Sequence, residues 1–302
     1  GSGHLLSGQT AYLKLRDRST IDALLLTTER GVTGGMKMAN GTNSRRPPPF
    51  PGTRAKSAAL VREQYVTARE YRKKVADAAA DPKKAPARDL GMEALGEVLD
   101  GKRSVHFHTH RHDDILTALR LAEEFGFRVV LQHVSDAWKV APQIAASKQV
   151  IGSSIIVVDA PGGKLETADV SFGNGAALEK AGARFGFHTD DGIVDSRFFR
   201  REAGLAIRAG LSREKAIEGL TLAGARMLDL SSRVGSLEEG KDADLVVLSG
   251  DPFSVYTNVL ETWVEGEKVF DREDPKDRLY AVGGFGASHD SQGHLDAHAE
   301  DE

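Results

Sequence analysis

The chain has 302 residues, a formal net charge of −4, 40% apolar residues and 28% charged residues. That composition suits a globular protein. It offers no basic field for nucleic acid, and no run of about 18 apolar residues predicts a membrane span. The absence of cysteine excludes disulfides, zinc fingers and thiol nucleophiles. No charged-then-apolar leader predicts a signal peptide, so a soluble protein is expected, with cytoplasm and export both open.

Short apolar strands alternate with longer helical patterns. Strands are expected at residues 11–15, 35–38, 104–108, 128–133, 155–159 and 184–188. The segment 45–51, with three consecutive prolines, reads as an extended loop. A long helix is expected over 56–80, where Leu60, Tyr65, Ala68, Tyr71 and Val75 recur at helical spacing. A second helix spans 113–125 and stops at Gly126, a C-cap residue. A third spans 212–228, with Ser212 as N-cap and Glu214 in its first turn. Strands separated by helices of this length imply parallel βαβ units.

Beyond residue 230 the texture changes. Val264-Glu265-Gly266-Glu267-Lys268-Val269-Phe270 reads as a hairpin with Glu-Gly at its turn. A small β element is therefore expected over 231–275. Residues 276–302, rich in Gly, Ser, His and Asp toward the end, read as an unstructured tail. His294 and His298 lie there at helical spacing, and a solvated tail is the preferred reading.

The segment His106-Phe107-His108-Thr109-His110-Arg111-His112-Asp113-Asp114 carries four of the chain's ten histidines at alternate positions. On a strand, successive side chains face opposite ways. His106, His108 and His110 therefore share one face, and Val105 and Phe107 share the other. Clustered imidazoles at a strand end, before a helix, suit a metal site on an α/β barrel. Asp113 and Asp114 read as acids at the helix N-terminus, favoured by its dipole. Arg45 and Arg46 read as part of a solvated loop.

Four motifs in this order resemble the amidohydrolase superfamily, in its imidazolonepropionase-like and prolidase-like branch. They are Gly34-Gly35-Met36-Lys37-Met38-Ala39-Asn40-Gly41, His108-Thr109-His110-Arg111-His112-Asp113-Asp114, Gln132-His133 and His188-Thr189-Asp190-Asp191. Gly240-Lys241-Asp242-Ala243-Asp244-Leu245-Val246 resembles the superfamily's C-terminal β-sandwich. The resemblance runs from about residue 1 to residue 270.

The resemblance implies a metal-dependent (β/α)8 barrel over 1–230, in which this chain supplies strands three to eight. Lys37 falls at the fourth-strand position, where a carbamylated lysine bridges two ions. His108 fits the fifth-strand ligand, His133 the sixth and Asp190 the eighth. Lys37, His108 and His133 would complete one ion's set, leaving Lys37 and Asp190 for a second. The first-strand His-x-His pair would come from an upstream segment or a separate chain that completes the barrel. Relatives carry Gly-Glu-Asn where this chain has Gly41-Thr42-Asn43.

Imidazole and carboxylate donors suit one or two divalent ions, Zn²⁺ first and Mn²⁺ second. Such an ion lowers the pKa of its water to about 7. Asp190 would take that proton and pass it to a leaving amine. Asp191, its neighbour, is the alternative for this role. His106, His110 and His112 read as core or solvated histidines, and an ordinary lysine stands beside the carbamate reading of Lys37. The expected function is hydrolysis of a C–N bond in a small substrate, such as a dipeptide or cyclic amide, by an oligomer. The alternative is a non-catalytic amidohydrolase-like subunit of a larger assembly.

Overall fold

The computed structural model describes residues 2–157 and 163–282. Among the described residues, six strands form one sheet in chain order: β1 (Leu6–Gln9), β2 (Met36–Ala39), β3 (Val105–Thr109), β4 (Val129–His133), β5 (Val150–Ile155) and β6 (Phe185–Phe187). β1 is antiparallel to β2, and every later pairing is parallel. The N-terminal segment holds α1 (Ile21–Leu24). α2 (Arg54–Asp77) and α3 (Leu90–Leu99) join β2 to β3; α4 (His112–Phe125), α5 (Ala137–Ala146) and α6 (Asn174–Lys180) fill the next three crossovers. α7 (Phe199–Arg208), α8 (Arg213–Leu220) and α9 (Leu222–Met227) follow β6. The expected parallel strands with helical crossovers are present. The sheet is open, with β1 and β6 at its edges, and no closed barrel forms among the described residues.

Strand alternation decides what each face carries. Met36, Met38, Val105, Phe107, Val129 and Leu131 join the apolar core with Tyr65 of α2, Leu95 of α3 and Ile115 and Phe125 of α4. Lys37 pairs in register with His106 and Ala39 with His108. His106 in turn matches Val130, and His108 matches Gln132. The polar residues thus line the opposite face in successive layers. Both faces are covered, as expected of a parallel sheet, because α9 packs against β5 and β6.

Several elements depart from the sequence reading. The first strand is not 11–15 but β1, residues 6–9. Residues 11–15 make only an isolated bridge, Leu13 to Leu25. Their burial is inverted: Tyr12 and Lys14 are buried, while Leu15 is 84% exposed. Tyr12 and Lys14 turn inward because each has a polar partner there, which the hydrophobic pattern does not register. β5 begins at Val150, five residues ahead of the expected start, because Val129 on β4 pairs with Val150. The polar stretch Gly152-Ser153-Ser154 conceals this strand from a propensity reading, and residues 158 and 159 lie outside the described residues. The expected helix 212–228 breaks at Thr221, where φ is −132° and ψ −95°, into α8 and α9. The Ser212 cap is present, its hydroxyl accepting from the Lys215 amide, and Gly126 caps α4 at a left-handed φ of 75°.

A second sheet, β7 (Leu245–Leu248), β8 (Val259–Val264) and β9 (Glu267–Asp271), is an antiparallel meander. Glu265 and Gly266 join β8 to β9 with φ values of 52° and 79°, both positive as in a type I′ two-residue hairpin. Structure continues past the expected limit: α10 (Pro275–Ala281) starts from an Asp274 cap with Pro275 in its first turn. His294 and His298 lie outside the described residues.

Lys14 links the N-terminal segment to this second sheet. Its ammonium contacts Asp242, lies 2.9 Å from Asp244 and 3.4 Å from Glu265. Arg16 adds a second contact to Glu265 at 2.7 Å. Burial acts to lower the Lys14 pKa, but the bonds to Asp242 and Asp244 outweigh it and leave the pKa raised. The Gly240-Lys241-Asp242-Ala243-Asp244 motif therefore has a structural task, the pairing of a buried lysine. Lys14→Met is expected to cost about 2 kcal/mol, less than a fully buried pair, because the three acids keep 18–30% of their side chains exposed. Urea unfolding checks this, and an unchanged midpoint would show that the cluster contributes nothing.

Glu202 of α7 is 1% exposed. One of its oxygens accepts from the Val157 amide at 2.8 Å. Burial pushes its pKa up to about 8, opposed by that hydrogen bond. An acid with a raised folded pKa favours folding only while protonated. Stability is therefore expected to fall as pH rises from about 4.3, the ordinary glutamate value, to about 8, and to level off above that. Glu202→Gln should flatten this dependence, as read by denaturation at pH 5 and pH 8.

Candidate metal centre

The site lies at the C-terminal ends of the parallel strands, where α/β folds assemble their chemistry. His106, His108 and His110 are buried, at 5%, 3% and 8% exposure. They fulfil the face assignment read from the sequence, but their surroundings differ. His106 uses both ring nitrogens: Nε2 meets the Tyr12 hydroxyl at 2.5 Å and Nδ1 meets Gln132 Nε2 at 3.4 Å. Its ring fits against Gly35, where a Cβ would come within 2.4 Å of it. It is a hydrogen-bonded histidine beneath the site.

His108, His110, His133 and His188 form the cluster above it. The His108 ring centroid lies 4.7 Å from that of His110 and 4.5 Å from that of His133. His110 stacks on His133 at 5.1 Å, and His188 lies 4.8 Å from His133. Alternation along β4 would aim His133 with Val129 and Leu131 toward the helices. Its left-handed backbone, φ 74°, followed by Val134 at φ 39°, instead turns the ring into the cluster. That conformation costs a non-glycine residue about 1 kcal/mol or more.

Three of these imidazoles carry a buried nitrogen with no hydrogen-bond partner among the described residues: His108 Nε2, His133 Nδ1 and His188 Nε2. Burial lowers the pKa of all four rings, helped by the charge of Lys37 and opposed at His110 by Glu166 and Asp136, to about 2 for His108, about 4 for His110 and about 3 for His188. They are neutral at pH 7, so their lone pairs are free to coordinate. His110 Nδ1 engages Ser135 Oγ at 2.9 Å.

Asp190, with a φ of 48°, places Oδ2 3.7 Å from His133 Nδ1. Burial raises its pKa, opposed by the charges of Lys37 and Lys164. Asp191 is exposed and accepts from the Ser196 amide instead. Lys37 contacts the Gln132 side-chain oxygen. Burial brings its pKa down to about 8, opposed by Asp190.

The structure thus brings His108, His133 and Asp190 together, with Lys37 near enough to feel the charge of Asp190. It adds three groups that sequence reasoning did not assign: His110, His188 and Glu166. His188 sits directly after β6, two residues before Asp190, and that strand-end position was the available signal. Glu166 had none, because it comes from the β5–β6 connection. It lies in a short turn, Leu165–Thr167, with its side chain 1% exposed. Donor atoms of His108, His110 and Glu166 lie within 4.8 Å of one another.

His112 is exposed and bonds Asp136 at 3.1 Å. Asp113 pairs with Arg111. Asp114 is buried and, rather than serving only the helix dipole, pairs with Arg54 at 2.8 Å. Arg46 bonds the carbonyls of Gly3 and Asn43, which ties the proline-rich loop down.

The cluster opens into a small pocket lined also by Ile156, Lys164, Thr167, Val170 and Ile193. Lys164 donates to Asn43 Oδ1 at 2.6 Å. The donor set fits a divalent ion of the Zn²⁺ or Mn²⁺ type, because neutral imidazoles and carboxylate oxygen converge with their coordinating atoms otherwise unpaired.

A model of the amidohydrolase family, Amidohydro_3, matches residues 166–270. The structure superimposes on an amidohydrolase from Thermotoga maritima MSB8 with a TM-score of 0.82 and 34% identity, over 90% of this chain and 70% of that one. The chain belongs to the amidohydrolase family. It is also 27% identical over 187 residues to Amidohydrolase tasK of Hapsidospora irregularis, covering 61% of this chain and 19% of that protein. Over 65 residues, 22% of this chain and 10% of the relative, it is 43% identical to Adenine deaminase 2 of Jannaschia sp. (strain CCS1). It therefore spans a fifth or less of these two relatives' length.

Tyr12→Phe removes the partner of a buried imidazole nitrogen. It is expected to cost about 1–3 kcal/mol, the penalty of leaving one buried polar group unmatched. Thermal unfolding tests this, and an unchanged melting temperature would dismiss the Tyr12–His106 bond as a support of the site.

Proposed function

We propose that this chain forms the metal-binding part of a hydrolase that cleaves a C–N bond, amide, peptide or cyclic amide, in a small substrate. The observation that carries this is the pair of unpartnered nitrogens on buried His108 and His133 at one pocket, with a third on His188 beside His133. In this reading His108, His133 and Asp190 hold a divalent ion, Zn²⁺ first, and His188 joins them. The ion, when bound, supplies a water of lowered pKa and polarises the scissile carbonyl.

The chain's own residues do the rest. Asp190, half-exposed at the pocket with its pKa raised by burial, takes the proton of the attacking water and returns it to the leaving nitrogen. Lys37, with its pKa near 8, is partly neutral at neutral pH. A neutral amine is the form that adds carbon dioxide, losing a proton as the carbamate N–C bond forms, and the resulting carbamate would give Lys37 an anionic oxygen with which to help hold the ion. Lys164 and Thr167 at the pocket wall orient the substrate. An upstream His-x-His segment pairing at the open sheet remains part of the proposal, as does an oligomeric assembly.

His133→Ala and His188→Ala are each expected to lower the zinc content of the purified protein by at least about half. Each should also reduce hydrolysis of dipeptide and cyclic-amide substrates at least about tenfold, the loss that even an outer-sphere change produces at metal sites. Metal analysis and rate measurement on the same samples test this. Full metal content in both variants would remove the assignment, and metal binding with no hydrolysis of any such substrate would favour the non-catalytic subunit.

A further inference from the structure

We propose that Glu166 is a metal ligand, donating one carboxylate oxygen to a divalent cation held with it by His108 and His110. This deepens the preceding reading and rests on it for the presence of an ion. The two oxygens of Glu166 have different fates. Oε2 accepts from the Thr42 amide at 2.7 Å and lies 3.3 Å from the Arg54 guanidinium. Oε1 is buried and has no hydrogen-bond partner among the described residues. One oxygen is pinned by the protein, and the other is left for a ligand. That is how a carboxylate is oriented to bind a metal through one atom.

The cradle around the pinned oxygen is specific. Gly41, at a left-handed φ of +79°, passes so close that a Cβ there would stand 2.6 Å from Oε2. Residue 41 must therefore lack a side chain for Glu166 to reach this position. Arg54 is itself held by Asp114 at 2.8 Å.

The imidazoles complete the set. Ser135 occupies Nδ1 of His110 and so leaves Nε2 as its free nitrogen. His108 Nε2 is buried and unpartnered. The three donors lie within 4.8 Å of one another, a span from which each reaches a common centre at about 2.0–2.2 Å after small side-chain rotations. His108 and His110 come from one strand end, two residues apart. Glu166 arrives from a different connection, more than 50 positions along the chain, which is why no local motif announces it.

The test uses the full chain, stripped of metal. Zn²⁺ affinity is measured by calorimetry, and the visible absorption of the Co²⁺ form reports the ligand set. Glu166→Gln keeps a carbonyl oxygen for the Thr42 amide and removes the charge. It should bind Zn²⁺ at least about tenfold more weakly, shift the Co²⁺ spectrum and leave the metal-free melting temperature near that of the unmodified protein. Gly41→Ala crowds the carboxylate from outside and should weaken Zn²⁺ in the same direction with Glu166 still present. Unmodified Zn²⁺ affinity together with an unmodified Co²⁺ spectrum in Glu166→Gln overturns the proposal. If His133→Ala then still lowers affinity, the hydrolase reading survives that failure. If the unmodified chain takes up neither Zn²⁺ nor Co²⁺, both fall together.

Discussion

The structure turns on buried donor atoms that have nothing to bond. His108 Nε2, His133 Nδ1, His188 Nε2 and Glu166 Oε1 all lie inside the protein without a hydrogen-bond partner among the described residues. Each such group costs about 1–3 kcal/mol. The fold tolerates them because the opposite face of the same sheet is apolar, with Met38, Phe107 and Leu131 packed against the helices. One face of the sheet stabilises it, and the other, with the turns at the strand ends, carries the costly polar groups.

Around these donors stands a layer of groups that fix their orientation. Ser135 holds His110, Thr42 and Arg54 hold Glu166, and Tyr12 and Gln132 hold His106 below. Gln132 also takes the Lys37 ammonium. With both ring nitrogens engaged, His106 lacks a free donor, although it shares a face with His108. Residues of the same type on one strand thus take different roles according to what reaches them from other elements.

The N-terminal segment joins the site to the second sheet. Tyr12 touches His106, and two residues later Lys14 enters the cluster of Asp242, Asp244 and Glu265. The floor of the candidate metal centre and the C-terminal meander therefore share one short stretch of chain. The strands of that meander bury no residue fully. Polar contacts such as the Lys14 cluster are correspondingly important in positioning it.

Sequence alone determined what depends on local periodicity and turn chemistry. The facing of His106, His108 and His110 away from Val105 and Phe107 followed from a two-residue repeat. The stop of α4 at Gly126 and the turn at Glu265-Gly266 followed from which residues accept a positive φ. Tertiary structure decided what depends on groups brought from afar. Alternation along β4 would point His133 outward, and its backbone conformation reversed that. The burial of Lys14 and Tyr12 inverted a hydrophobic pattern, because the acids and the imidazole they meet lie far away in the chain. Glu166 reached His108 and His110 from a separate connection, through a gap that Gly41 leaves open, and no short-range pattern encodes such an approach.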